Sequence, residues 1–333
     1  MNKLALHASA SYVSRENLDS NMLPKLLRLL AEYTMLYSCS LKSMGLYEGR
    51  VGCALALFAC SSALSDKDLE EHAGILMHEA LLANTQDLSL EHGWSGIGFA
   101  LLLLMEWKMV DLDLNDLWRD YHQRITDHLT KNTKHTQPRD LQYIHYLHAY
   151  YRVTHDANSL YLATLIAQRV EAEIKNRYDS CHWDQILSDM TYLELEQYTD
   201  WYCYMALLYP DIVSTKFIVE AYDVLDATKL TLRGTYTELV WRQSSGRLDR
   251  YIGENLLMCG FSLRELCNFH ELSRFTTFDF DLPHILPLDA KAIATWIWQR
   301  IPMGREGCGY GYGVARLLLL LSMVDTSNPI YLA

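Results

Sequence analysis

Hydrophobic positions along this chain recur mostly at helical spacing. Residues 53–60, 99–105 and, apart from Arg316, 314–321 are different: they are apolar on every side. A helix with no polar face has to be surrounded by protein, so these three are expected to be inner helices. The segments between them are amphipathic. Ser65 and Asp66 offer a cap, after which Leu69, Ala73, Leu76 and Ala80 fall on one face. Asn115 suits the cap of a helix carrying Leu117, Tyr121, Ile125 and Leu129. Pro138 fits the first turn of a helix that reaches Tyr151. Residues 155–158 read as a turn before Leu162, Leu165, Ile166, Val170 and Ile174. Helical patterns continue over 193–208, 216–227, 253–270 and 289–299.

Strand signals are confined to β-branched and aromatic residues over 231–241 and to 275–280, and neither has a partner at hairpin spacing. Pro283 and Pro287 interrupt the chain before the last helix pair. No linker rich in Gly, Ser or Pro appears, so the expectation is one all-α domain over residues 1–333.

Each apolar stretch follows a glycine cluster: Gly45, Gly49 and Gly52; Gly93, Gly96 and Gly98; Gly307, Gly309, Gly311 and Gly313. Glycine allows positive φ and close backbone approach, so each cluster predicts a tight packed turn. About 46 residues separate the first two, a repeat length that suits one helical hairpin. Buried helices alternating with amphipathic ones predict an inner ring wrapped by an outer ring, a closed α/α toroid of roughly six or seven hairpins.

Charge narrows the partners. The formal net charge is -12 with no basic run, which disfavours nucleic acid and anionic membrane and favours a basic peptide or cationic substrate. The start of the chain lacks the long apolar segment of a signal peptide, residues 4–10 being short and interrupted by His7. No stretch reaches the roughly 18 apolar residues of a membrane span. Eight cysteines are scattered, and Cys53, Cys60 and Cys259 sit among apolar neighbours as reduced core thiols do. Together these predict a cytoplasmic protein.

At the glycine clusters the sequence resembles the lanthionine synthetase C-like (LanC-like) family. Gly45-Leu46 with Gly49 and Gly52 is similar to that family's Gly-Leu-x-x-Gly-x-x-Gly loop, and 92–99 to its Gly-Leu-x-Gly-Ile-Gly-Trp element. Residues 311–315 are similar to its final repeat. The resemblance implies an α/α toroid with the glycine loops gathered at one mouth of a central cavity, and work on ribosomally made peptides. It also implies a zinc ion, held by two cysteines and a histidine, that activates a peptide thiol for addition to a dehydrated serine or threonine. The zinc signature departs from the family's. Cys181-His182 is followed by Trp183 and precedes Trp201-Tyr202-Cys203, so order and flanks differ. Cys259-Gly260 and Cys308-Gly309 have no adjacent histidine. The expectation is therefore no family-type zinc centre and no cofactor, with Cys181, His182 and Cys203 the first ligands to test should zinc be found.

Around the predicted mouth stand Glu48, Arg50, Glu91, His92, Trp94, Arg305, Glu306, Tyr310 and Tyr312. Carboxylates beside glycine loops suit helix N-termini and also suit acid/base catalysis. Arg50 and Arg305 suit a peptide carboxylate, and the aromatic residues suit a peptide or a sugar. His145, His148 and His155 share helical offsets, an arrangement open to metal binding or to a plain polar face. The cluster at 307–313 follows no strand and lacks a Gly-Lys-Ser/Thr ending, which excludes a phosphate loop. Two functions from different classes follow. One is a binding partner of a ribosomal precursor peptide, or of the enzyme that modifies it. The other is a metal-free enzyme acting on a glycan, with carboxylates such as Glu48 and Glu306 as acid and base. A scaffold with a filled centre is the third option.

Overall fold

A computed structural model describes residues 22–131, 137–180, 190–214, 216–217, 308–309 and 314–324. In chain order the helices are α1 (Met22–Ser38), α2 (Arg50–Leu64), α3 (Lys67–Leu81), α4 (Trp94–Glu106), the single turn α5 (Leu114–Leu117), α6 (Arg119–Lys131), α7 (Tyr143–Thr154), α8 (Ala157–Ser180), α9 (Met190–Leu208) and α10 (Val314–Val324). A 3-10 turn, Pro138–Gln142, leads into α7 with Pro138 at its start. There is no strand among the described residues beyond an isolated bridge between Ser43 and Gly49, so the described fold is all-α. The patterns at 218–227, 231–241, 253–270, 275–280 and 289–299 lie outside the described residues.

Two kinds of helix emerge from the hydrophobic pattern. In α2 every residue from Val51 to Ser61 is buried, and in α4 burial runs from Trp94 to Leu102. Each of the large side chains removed from water there contributes about 1.5–3 kcal/mol. In α3, by contrast, Leu69, Ala73, Leu76, Met77 and Ala80 form one buried stripe. Leu162, Ile166, Val170 and Ile174 form the equivalent stripe on α8. On α6, Ile125 and Leu129 are buried, whereas Leu117 is exposed. The cause is a break: α5 ends at Leu117, and the wholly buried Trp118 resets the phase before α6.

α2 touches α1, α3, α4 and α10; α4 packs on α7, α7 on α8, and α8 on α9. The apolar helices α10, α2 and α4 thus stand in series with α7, while α3 covers α2. α10 also lies against α1, so the far end of the described chain returns to its start.

The helix starts divide in the same way. Asp66 caps α3, accepting from the amides of Asp68 (3.1 Å) and Leu69 (3.4 Å). Asp113, two residues before the expected Asn115, caps α5 by accepting from the Asn115 amide at 2.8 Å. The turn expected over 155–158 is two residues long: His155 takes a left-handed conformation (φ 59°), and Asp156 accepts from the Ser159 amide (3.0 Å) at the head of α8. The buried helices α2 and α4 instead start at Gly49 and Gly93, with no side-chain cap bond.

Candidate functional site

The first glycine turn satisfies the head of α2 from its own backbone: Arg50 N–H donates to Ser43 O (3.1 Å) and Val51 N–H to Met44 O (3.3 Å). The second does the same for α4, where Trp94 N–H donates to Asp87 O (3.0 Å). The N-cap backbones are ordinary extended ones, with φ -127° at Gly49 and -118° at Gly93. Space, rather than positive φ, is what demands glycine here. A Cβ on Gly45 would overlap the backbone of Glu91 and His92, and one on Gly96 would overlap the Leu90 carbonyl and the Leu46 side chain. The two turns are therefore locked together, and Tyr47 N–H bonds across to Glu91 O at 3.0 Å. The third cluster reaches the same place. A Cβ on Gly309 would stand 3.2 Å from Tyr47 O and 3.5 Å from Glu48 Cα.

The candidate residues separate at this junction. Glu91 and His92 are exposed at the second turn and line one cavity. Glu48 is exposed on the first turn, beside Gly309. Arg50 turns away and is structural: it pairs with Glu79 of α3 and donates to Leu41 O (3.0 Å) and Cys39 O (2.9 Å). Trp94 is core, stacked on Tyr121 with ring centroids 3.8 Å apart and donating from Nε1 to Thr85 O at 2.9 Å. Arg305, Glu306, Tyr310 and Tyr312 lie outside the described residues.

The cavity beside Glu91 and His92 holds about 670 Å³. Its other walls come from His128 of α6, from Arg139, Asp140 and Tyr143 at the start of α7, and from Tyr198 and Trp201 of α9. Burial pushes the Asp140 carboxyl up from its ordinary value, against the pull of the Gln137 amide (2.8 Å), Arg139 and His128. Burial also raises the Tyr143 phenol to about 12, helped by the negative charges of Asp140 and Asp87. The wall offers carboxyl, imidazole, guanidinium and indole groups together. His128, Arg139, Asp140, Tyr143 and Tyr198 carry no local signal, and Trp201 stands out only within a Trp-x-Cys element, because these residues come from segments 36 to 109 residues further along than His92 and only tertiary packing brings them in.

The histidines of α7 are packing groups. His145 is buried, with Nδ1 2.6 Å from the Tyr209 hydroxyl, and the His148 ring meets the edge of the same tyrosine at 4.9 Å. Burial lowers the His148 pKa to about 4, with Arg152 acting the same way and Asp211 opposing. His155 ends the helix. Cys203 is buried on α9, while Cys181 and His182 lie outside the described residues. Among the described residues no three His, Cys, Asp or Glu side chains converge as a metal site would require, so a zinc ion finds no complete ligand set there.

A second cavity, of about 1130 Å³, lies between α6, α7 and α8. Behind His122, which lines it, runs a buried polar chain: Trp118 Nε1 donates to the Tyr146 hydroxyl (2.9 Å), which lies 2.8 Å from His122 Nδ1. The other ring nitrogen, His122 Nε2, faces Asp156 at 3.8 Å. Burial lowers the His122 pKa and outweighs the opposing pull of Asp156, so the ring is neutral near pH 7.

No described helix is long and apolar enough to cross a membrane. Comparison with known protein families, curated proteins and solved structures finds no match to this chain.

Proposed function

We propose that the chain is a LanC-like α/α toroid that binds a ribosomally made precursor peptide, or the enzyme that modifies it, at the junction of its glycine turns. The observation that carries this reading is that the first two glycine turns are locked together, with Gly309 of the third cluster against Tyr47 and Glu48, while Glu91 and His92 of the second turn line a cavity. The return of α10 onto α1 and α2 supports a closed ring. Turns tied by backbone contact form a rigid rim, and a rigid rim keeps the entropic cost of binding an extended chain low. The aromatic and acidic wall suits a peptide carrying hydroxyl and basic side chains, in keeping with the net charge of -12.

The test is calorimetric titration of the purified protein with the synthetic precursor peptide encoded nearest its gene. Micromolar binding that weakens at least fivefold in a Glu91→Gln, His92→Ala double variant is the expected result. No binding, or binding unchanged in that variant, overturns the reading.

The glycan-directed reading has one observation of its own: burial raises the Asp140 carboxyl above its ordinary value in the cavity that Glu91 also lines. Release of nitrophenol from aryl glycosides by the wild type, abolished in Asp140→Asn, would favour it over the peptide reading.

A further inference from the structure

Two free thiols meet where the last glycine cluster reaches α2. Cys53, on the buried helix, and Cys308, 255 residues later, stand with their sulfurs 3.8 Å apart. Both are wholly buried. Their positions are held from several sides: Cys308 Sγ reaches Thr34 O on α1 (3.7 Å), Cys53 Sγ reaches Cys308 O (3.8 Å), and Ala315 N–H at the head of α10 donates to Cys308 O (3.2 Å). The sulfurs need to close by roughly 1.8 Å to reach the ~2.05 Å of a disulfide.

We infer that Cys53 and Cys308 form a reversible disulfide that fastens the third glycine cluster to α2. The oxidant is a low-molecular-weight disulfide such as oxidised glutathione. One protein thiol loses its proton and its thiolate attacks a glutathione sulfur; the mixed disulfide forms and a glutathione thiolate leaves, taking up a proton. The second protein thiolate then attacks the protein sulfur of the mixed disulfide and expels the other half as glutathione thiolate. Two protein thiols are oxidised to one disulfide, and one glutathione disulfide is reduced to two thiols. In a reducing compartment the pair stays a dithiol; as the poise rises the crosslink closes. The bond joins segments from the two ends of the chain, so it restricts the unfolded state over a very long loop.

Burial sets the kinetics. The Cys53 thiol is pushed well above its ordinary value by its bond to Cys308 and by burial, so little thiolate is present at neutral pH. Closure is therefore slow, and faster at pH 8.5 than at pH 7. Cys39 is exposed nearby, its carbonyl bound by Arg50, and reacts first as a mixed disulfide with glutathione.

The experiment incubates the full chain in glutathione buffers of rising oxidation. Free thiols are then blocked with N-ethylmaleimide, and the linked peptides are mapped by mass spectrometry. A Cys53–Cys308 crosslink is expected, with a melting temperature raised by roughly 5–10 °C. Cys39→Ser retains both effects, whereas Cys53→Ala loses both. The mapping on wild-type protein stands even where a cysteine variant folds poorly. If Cys53 and Cys308 remain open to alkylation after unfolding while Cys39 is fully oxidised, or if either pairs with another cysteine, the inference is overturned.

Discussion

The buried helices α2 and α4 and the half-buried α3 and α8 solve one problem in opposite ways. Every helix leaves its first amides without partners inside the helix. At α3 and α8 an aspartate accepts from them: Asp66 from Asp68 and Leu69, Asp156 from Asn158 and Ser159. At α2 and α4 the carbonyls of the preceding turn accept instead, and glycine lets that turn lie against its neighbours. A charged cap suits a start that water reaches. Within the core it would carry a desolvation cost, and there a folded-back backbone does the same work with neutral groups. In these four helices the capping chemistry therefore follows how deeply the helix is buried.

The strongest challenge is Gly93→Asp, which gives α4 the cap used by the outer helices. Were capping alone the issue, this would stabilise. Because a Cβ at Gly93 overlaps the Asp87 backbone, we expect a loss of roughly 3 kcal/mol, read by denaturant unfolding. Asp66→Ala should cost about 1 kcal/mol by the same measurement, the cap being its main contribution. The ion pair of Asp66 with Arg28 at 3.2 Å adds little, since that arginine is largely exposed.

A pH series separates the two chemistries further. Burial pushes the Asp156 carboxyl up, but Ser159, the Asn158 and Ser159 amides and His122 outweigh it, so its folded pKa lies below the ordinary 3.8. Between those two values the unfolded chain holds the extra proton. The stability it contributes is complete above about pH 5 and is lost as pH falls through the folded pKa. Melting curves from pH 5 to pH 3 should fall less steeply for Asp156→Ser than for wild type, while the glycine starts add nothing to the slope. The smallest effect is expected at Gly74, inside α3, where a Cβ would meet nothing within 4 Å. Gly74→Ala should stabilise by about 0.5–1 kcal/mol, opposite in sign to Gly93→Asp.

What was legible in sequence follows from how local each determinant is. The stripe Leu69, Ala73, Leu76 and Ala80 is set by helical period alone and is buried as read. The start of α5 was misplaced by two residues because Asp113 and Asn115 are both good caps, and the choice depends on where Leu114 is buried. Leu117 fell out of its expected face because Trp118 sits in a pocket shared with Trp94 and Tyr146. No local pattern encodes that pocket. Of the candidate site, Glu91 and His92 were visible because they flank a glycine cluster. Asp140 and Tyr143 were not, because nothing in their own neighbourhoods distinguishes them from surface or core residues, and Trp201 stood out only as part of a Trp-x-Cys element. Arg50 had a legible position but an illegible partner, since Glu79 lies 29 residues away on α3.

The seating of α10 on α1 and α2 has a consequence for synthesis. The apolar sides of α1 and α2 leave the ribosome early, yet their cover is encoded some 260 residues after α2 ends. At cellular elongation rates that is a wait of roughly 13–50 s. Through that interval the nascent chain carries an unfinished hydrophobic seam, and its yield in the cell should depend on chaperones that shield it until α10 arrives.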